Sequence, residues 1–176
     1  MKKLFFIFYL IIPFFIYSQY AYEGLLDYKM RIGLTFQEQG KGLQIILDRG
    51  LSDYFSTGLQ FGYFLDDIKK NSVISNSPVM IDIDQNDDFL DRIDANVRLD
   101  LHYNYLLSLP DKLDIVTGLH LGRNIGTHIG VDYLLVNSFG IQGNVSIPIV
   151  KPLIPFEKEI FLYKGVYFGF GAFVTW

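Results

Sequence analysis

Cysteine is absent from the 176-residue chain. That excludes a disulfide framework, a thiolate metal site and a lipid-anchoring cysteine behind an export signal. Basic residues are scarce as well, with 15 Lys and Arg against 19 Asp and Glu. Long apolar runs are missing after the amino terminus. There, Met1-Lys2-Lys3 gives a basic start, Leu4 to Tyr17 an apolar run broken by Pro13, and small Ser18 a cleavage point before Gln19. Residues 1–18 therefore read as an export signal. Pro13 and the lack of a basic stop-transfer cluster argue against a retained transmembrane helix. Removing the signal takes Lys2 and Lys3 with it and leaves 13 basic and 19 acidic residues, a net charge of −6. Such a balance speaks against nucleic acid as a partner.

Aromatic residues are plentiful, with 16 Phe and 12 Tyr, and they fall into alternating patterns. From Leu25 to Phe36 one parity reads Leu26, Tyr28, Met30, Ile32, Leu34 and Phe36, and the other Asp27, Lys29, Arg31, Gly33 and Thr35. A period of two is that of a strand, and no helical stripe sorts residues this way. The same alternation marks strands at Gly42–Arg49, Tyr54–Leu65, Asp91–Leu107, Leu113–Asn124, His128–Leu135 and Phe139–Ile147. It returns at the carboxyl end, where Val166, Phe168, Phe170, Ala172, Val174 and Trp176 oppose Gly165, Tyr167, Gly169, Gly171, Phe173 and Thr175. One domain of about eight strands is the expected architecture. Gly50–Asp53, Ser108–Lys112 and Val136–Ser138 are tight connections at one rim, whereas Asp66–Leu90 and the proline-broken Pro148–Tyr163 are long loops at the other.

Alternation leaves open which face is inside. Gly33, Gly58, Gly118, Gly122, Gly140, Gly169 and Gly171 lie with the polar set, and Gly143 is an exception. The interior of an eight-stranded barrel has room only for closely packed side chains, so small residues belong there and the Phe, Tyr and Leu face belongs outside. An all-β, up-and-down antiparallel barrel with an apolar exterior and a polar, plugged lumen follows. A one-residue slip of the first strand would turn Lys29 and Arg31 outward, and at a bilayer midplane each costs about 2–4 kcal/mol. Phe55, Tyr103, Tyr105, Tyr133, Phe139 and Trp176 are placed as an aromatic girdle at the tight-turn rim, and Phe36, Tyr63 and Phe168 at the other. Arg123 is placed outward at a strand end, where it can snorkel.

The last strand resembles the terminal sorting strand of Gram-negative outer-membrane barrels, with Gly171, Val174 and Trp176 matching that motif and Gly169 departing from it at the polar position. From Leu25 to Trp176 the pattern resembles the small outer-membrane barrels of the OmpA transmembrane-domain and OmpX type. The resemblance implies a signal peptide at 1–18, a short periplasmic segment at 19–24 and a transmembrane barrel at 25–176. It also implies an outer-membrane location, periplasmic termini, extracellular long loops, and outer-membrane lipid, lipopolysaccharide and the barrel-insertion machinery as partners. It carries no active site, and any extracellular partner of loop 66–90 goes unnamed.

The candidate residues are therefore those of the lumen. Lys29, Arg31 and Arg98 share it with Asp94, Asp100, Asp114, Asp132 and His120, and paired charges filling the interior are expected because an unpaired buried charge is expensive. Asp27, Asp48 and Arg92 have the same parity. A selectivity lining of a narrow pore is the other reading of the same residues. His102, His120 and His128 face inward with no serine motif to accompany them, so a lipid-modifying enzyme is the lesser alternative and no enzymatic activity is expected. A soluble, lipocalin-like carrier of an apolar ligand would need the opposite face inside. Asp82-Ile83-Asp84-Gln85-Asn86-Asp87-Asp88 is rich in oxygen ligands but lacks the sixth-position glycine and twelfth-position glutamate of an EF-hand loop. No cofactor or metal is expected, and the function that fits best is a structural or surface-interaction role.

Overall fold

A computed structural model describes residues 20–37, 40–65, 92–122, 125–150 and 165–176. Eight strands form there: β1 (Tyr28–Gln37), β2 (Gly40–Gly50), β3 (Phe55–Phe64), β4 (Ile93–His102), β5 (Leu113–Leu121), β6 (Ile125–Val136), β7 (Phe139–Val150) and β8 (Tyr167–Thr175). Each pairs antiparallel with its neighbour in sequence, and β8 returns to β1, so the sheet closes without an edge. The closing register runs from Lys29 opposite Thr175 to Gln37 opposite Tyr167. Tyr28 and Trp176 then exchange both main-chain hydrogen bonds, at 3.0 and 3.1 Å.

Alternation in the sequence becomes alternation in burial. Arg31, Gly33 and Thr35 are buried along β1, while Ile32, Leu34 and Phe36 are exposed between them. Asp94, Asn96, Arg98 and Asp100 are buried along β4, and Val97 and Leu99 face out. Among the described residues, 23 buried side chains are polar or charged and eight are hydrophobic. The usual arrangement of a globular domain is inverted. An apolar band made by all eight strands surrounds a polar interior.

The rims differ from the expected boundaries in several places; the first strand, expected from Leu25, starts at Tyr28, and the fifth, expected to reach Asn124, ends at Leu121. The fourth strand was expected to run from Asp91 to Leu107 and instead ends at His102. Beyond it the chain coils upon itself, with Leu107 N donating to Tyr103 O at 2.9 Å and Leu109 N to Asn104 O at 2.9 Å. Ser108 there takes a positive φ of 50°. Tyr105, Leu106 and Leu107 are all exposed in that turn, so the alternation of burial ends with the strand. Residues 125–127 belong to β6, not to a loop. Strand β7 passes through Pro148, which was expected to end it, and continues to Val150. The proline lies at a register shift between Ile125 and Gly126 of β6, and pairing to β8 has already ended at Ser146. Loss of a donor at an irregular, half-unpaired position breaks no ladder.

Lumen glycines sit beneath large neighbours. A Cβ on Gly140 would meet the Phe173 ring, and one on Gly126 the His120 ring. At the closing seam Gly33 and Gly171 are directly opposed. A Cβ on Gly33 would lie 2.6 Å from Phe170 O, and one on Gly171 would collide with Ile32 O. Gly171→Val is therefore expected to weaken the seam by about 1–3 kcal/mol, the usual cost of overpacking. Thermal unfolding of the refolded barrel reads this directly, and an unchanged midpoint would mean that the seam is not as tight as described.

The expected signal at 1–18, the loop 66–90 with its Asp82–Asp88 stretch, and Arg123 all lie outside the described residues. So does most of the loop before β8.

Candidate functional site

Lumen side chains project from strands whose register brings opposite charges to one height. Asp114 and Asp132 are directly opposed across β5 and β6, and Lys29 opposes Asp48 across β1 and β2. The two facing carboxylates take their cation from across the bore, whereas Asp48 takes Arg31 from the adjacent strand. Lys29 Nζ donates to Asp132 Oδ2 at 2.8 Å and lies 4.0 Å from Asp114 Oδ2. Arg31 reaches the same Asp132 oxygen through Nη2 at 2.9 Å, and its Nη1 contacts Asp48. All are almost wholly buried. Two cations thus share one carboxylate, with Asp48 and Asp114 on either side.

A second cluster lies along β4 and β6. Arg98 Nη2 donates to Asp100 Oδ2 at 2.8 Å. His128 Nε2 stands 2.7 Å from the same guanidinium nitrogen and 2.9 Å from Asp100 Oδ1. One tautomer lets it accept from the arginine and the other lets it donate to the carboxylate; no single state does both. The His120 ring stacks on His128 with centroids 5.9 Å apart, and Tyr167 packs against its other side at 6.5 Å. Asp94 accepts from Asn96 Nδ2 at 2.5 Å. The sequence-assigned residues thus fall into two groups: Lys29, Arg31, Asp114 and Asp132 in the first, Arg98, Asp100 and His120 in the second. Asp94, the remaining one, accepts from Asn96.

Three features of the lumen were not anticipated. Residues 20–24, assigned to a short segment outside the barrel, fold into its tight-turn mouth. Ala21 and Tyr22 are buried there, at 0 % and 2 % exposure. Ala21 N donates to Asp111 O at 2.8 Å, and Asn104 Nδ2 donates to Tyr22 O at 3.0 Å. The Tyr22 hydroxyl lies 2.7 Å from both Ser52 O and Phe55 O. Ala21 also packs with Leu134 and Phe173 as a small apolar floor, over which Lys29 Nζ sits 4.9 Å from the Phe173 ring. Second, the Tyr22 ring lies parallel to His102, with centroids 3.5 Å apart and planes 2° from one another. Third, Ser56 Oγ is 2.8 Å from His102 Nε2, whose Nδ1 is 2.6 Å from Asp114 Oδ2. Parity alone sets Ser56 inward; its registration with His102 required the pairing of Ser56 with Asp100.

Burial, and then the nearby carboxylates of Asp27 and Asp114, push the Tyr22 phenol well above its ordinary range. A raised value means that the folded state holds the proton more tightly than the unfolded one. The stabilisation is complete below the ordinary phenol pKa of about 10 and is lost as pH rises through the folded value. Tyr22→Phe should lower stability at neutral pH by about 1 kcal/mol through lost hydrogen bonds and remove the part of the alkaline decline due to Tyr22. Denaturant titrations of both proteins at neutral and alkaline pH test this, and parallel declines would contradict it. At Asp132 the expected effect is larger. Asp132→Ala strands Lys29 and Arg31, and breaking a buried pair costs about 3–5 kcal/mol; a loss under about 1 kcal/mol would show that the cations have other adequate partners.

Among the described residues no group of three or more His, Asp or Glu could hold a metal ion. No curated protein matches the chain. The family of unknown function DUF6646 matches over residues 12–161. Among solved structures, the amino-terminal β-barrel domain of Pseudomonas aeruginosa OprF is similar, at 11 % identity with a TM-score of 0.50. The match covers 88 % of this chain and all of that domain. The chain is thus similar in fold to an eight-stranded barrel of the OmpA type.

Proposed function

We propose that the chain, which belongs to the family of unknown function DUF6646, acts as an integral outer-membrane barrel with a structural or surface-interaction role. One observation carries this reading: the exterior is apolar on every strand while the interior is polar and charged. Water favours the reverse, and a bilayer favours this arrangement, because lipid cannot satisfy polar groups and a closed barrel presents none at its sheet edges. Similarity of fold to the OprF barrel supports the same location. Tyr28 and Trp176, stacked with centroids 6.2 Å apart at the tight-turn rim, suit the interface between lipid and water. That rim is assigned to the periplasm together with residues 20–27 and the carboxyl terminus, because short turns are periplasmic in such barrels. The polar interior disfavours a lipocalin-like carrier, whose lining would be apolar.

The lumen is assigned as a plug and not a pore. Arg31, Arg98 and Lys29 each end on carboxylates within the bore, and about eight strands enclose little more than their own side chains. Outer-membrane lipid, lipopolysaccharide and the insertion machinery are the proposed partners, with Gly171, Val174 and Trp176 as the sorting signal.

Carbonate-washed fractionation with gel mobility before and after heating tests the location. The protein should stay with the outer membrane and shift on boiling; recovery in the soluble periplasm would overturn the reading. In planar bilayers the wild type should show no stable conductance steps. Steps that vanish when Lys29, Arg31 and Arg98 are reversed in charge would make the same residues a selectivity lining.

A further inference from the structure

The interior holds one arrangement that a plug does not require. Ser56, His102 and Asp114 come from three adjacent strands and form a chain of hydrogen bonds at the tight-turn end of the lumen. Asp114 can only accept, so it fixes the neutral imidazole in the tautomer with hydrogen on Nδ1. The lone pair then lies on Nε2 and faces the Ser56 hydroxyl, 2.8 Å away. This is the relation of nucleophile, base and orienting carboxylate, recognised by geometry and not by order in the chain. All three are at 1 % exposure or less.

The amino-terminal segment lies over the site at the lumen mouth. The Tyr22 ring covers the face of His102 at 3.5 Å. Its hydrogen bonds to the barrel include those through Ala21 N, the Tyr22 carbonyl and the Tyr22 hydroxyl. None belongs to the barrel ladder, so the segment can leave without unpairing a strand. Its path bends at Gly24, with φ of 93°, and at Leu26, with φ of 71°. Departure would also free Asn104 Nδ2, which now donates to the Tyr22 carbonyl.

We propose that Ser56 is the nucleophile of a latent hydrolytic site, with His102 as its base and Asp114 as the positioning residue, and that Tyr22 is the cover that keeps it closed. The inference goes beyond the structural role above. The substrate class is a small acyl ester able to enter where the flat Tyr22 ring lies. In acylation the Ser56 proton passes to His102 Nε2 and Oγ bonds to the carbonyl carbon. The ester C–O bond breaks, and the alcohol leaves with the proton from His102. Water then attacks the acyl-serine, giving its proton to His102, and the carboxylic acid departs as Ser56 takes that proton back.

Diisopropyl fluorophosphate is a small probe of this step: Ser56 Oγ bonds to phosphorus, fluoride leaves, and His102 takes the proton. The full mature barrel, refolded in detergent and checked by heat-modifiable mobility, is incubated with the probe and the adduct located by mass spectrometry. Tyr22→Ala should label at Ser56 faster than wild type, on the order of tenfold or more, because the cover is gone. Tyr22→Leu, which keeps an apolar side chain at the mouth, is the second uncovered variant should the alanine variant not refold. Combining either with His102→Gln or Asp114→Asn should cut the rate on the order of a hundredfold or more, and Ser56→Ala should abolish the adduct. A folded, uncovered barrel that does not label, or labels equally without His102, overturns the proposal and leaves the three residues as lumen packing. Because detergent-refolded protein is used, failure here is separate from failure of the membrane assignment, which fractionation reads.

Discussion

Asp132 lies between Lys29 Nζ and Arg31 Nη2, at 2.8 and 2.9 Å, and much of the barrel depends on that neutralisation. Two cations inside a closed sheet have no water to retreat to, and an isolated buried charge is costly by several kcal/mol. The carboxylate has to come from the far wall. It comes from β6, and Asp48 of the neighbouring β2 takes the remaining arm of Arg31. Register and closure follow together, since a one-residue slip of any strand carrying these groups would place them on the apolar exterior. The same logic governs Arg98 with Asp100. Ion pairs of this kind do not make the barrel more stable than apolar filling would, yet they penalise every wrong register.

Small residues make the pairing possible. Long side chains need floor space in a bore only as wide as its lining, and glycines supply it beneath Phe173, His120, Asn96 and Asp48. Polar side chains fill what remains. Gln60 donates to the Tyr167 hydroxyl at 3.2 Å, and Thr175 is hydrogen-bonded to Asp27. The amino-terminal segment then stops the tight-turn end with Ala21 and Tyr22.

The strands and their faces were legible because a two-residue period survives in the sequence wherever one face of a sheet is apolar and the other polar. Inward placement of Lys29, Arg31, Asp94, Asp100, Asp114 and Asp132 was readable on that ground. Who pairs with whom was not, since Lys29 and Asp132 lie 103 residues apart and the register between strands is set by turns whose lengths are ambiguous by a residue or two. Strand ends were the weakest inference: Tyr105 and Leu107 share the parity of the outer face of β4 while standing in a coiled turn with Leu106 exposed between them. The role of Tyr22 left no periodic trace at all, because a single aromatic folding back into a barrel mouth obeys no period. Ser56 and His102 shared the inward parity, and only the pairing of β3 with β4 brings them together.

The proposed membrane placement requires the whole circumference of the inverted barrel to face lipid. The absence of cysteine makes it testable with single-cysteine variants, one outward position on each strand, such as Ile32 on β1 or Leu119 on β5, each carrying a small fluorophore in reconstituted vesicles. Quenching by brominated lipid should occur at every strand around the ring, with little quenching by aqueous iodide at the same positions. Iodide quenching with no effect of brominated lipid on any strand would contradict the account, because that part of the apolar face would then lie outside the bilayer.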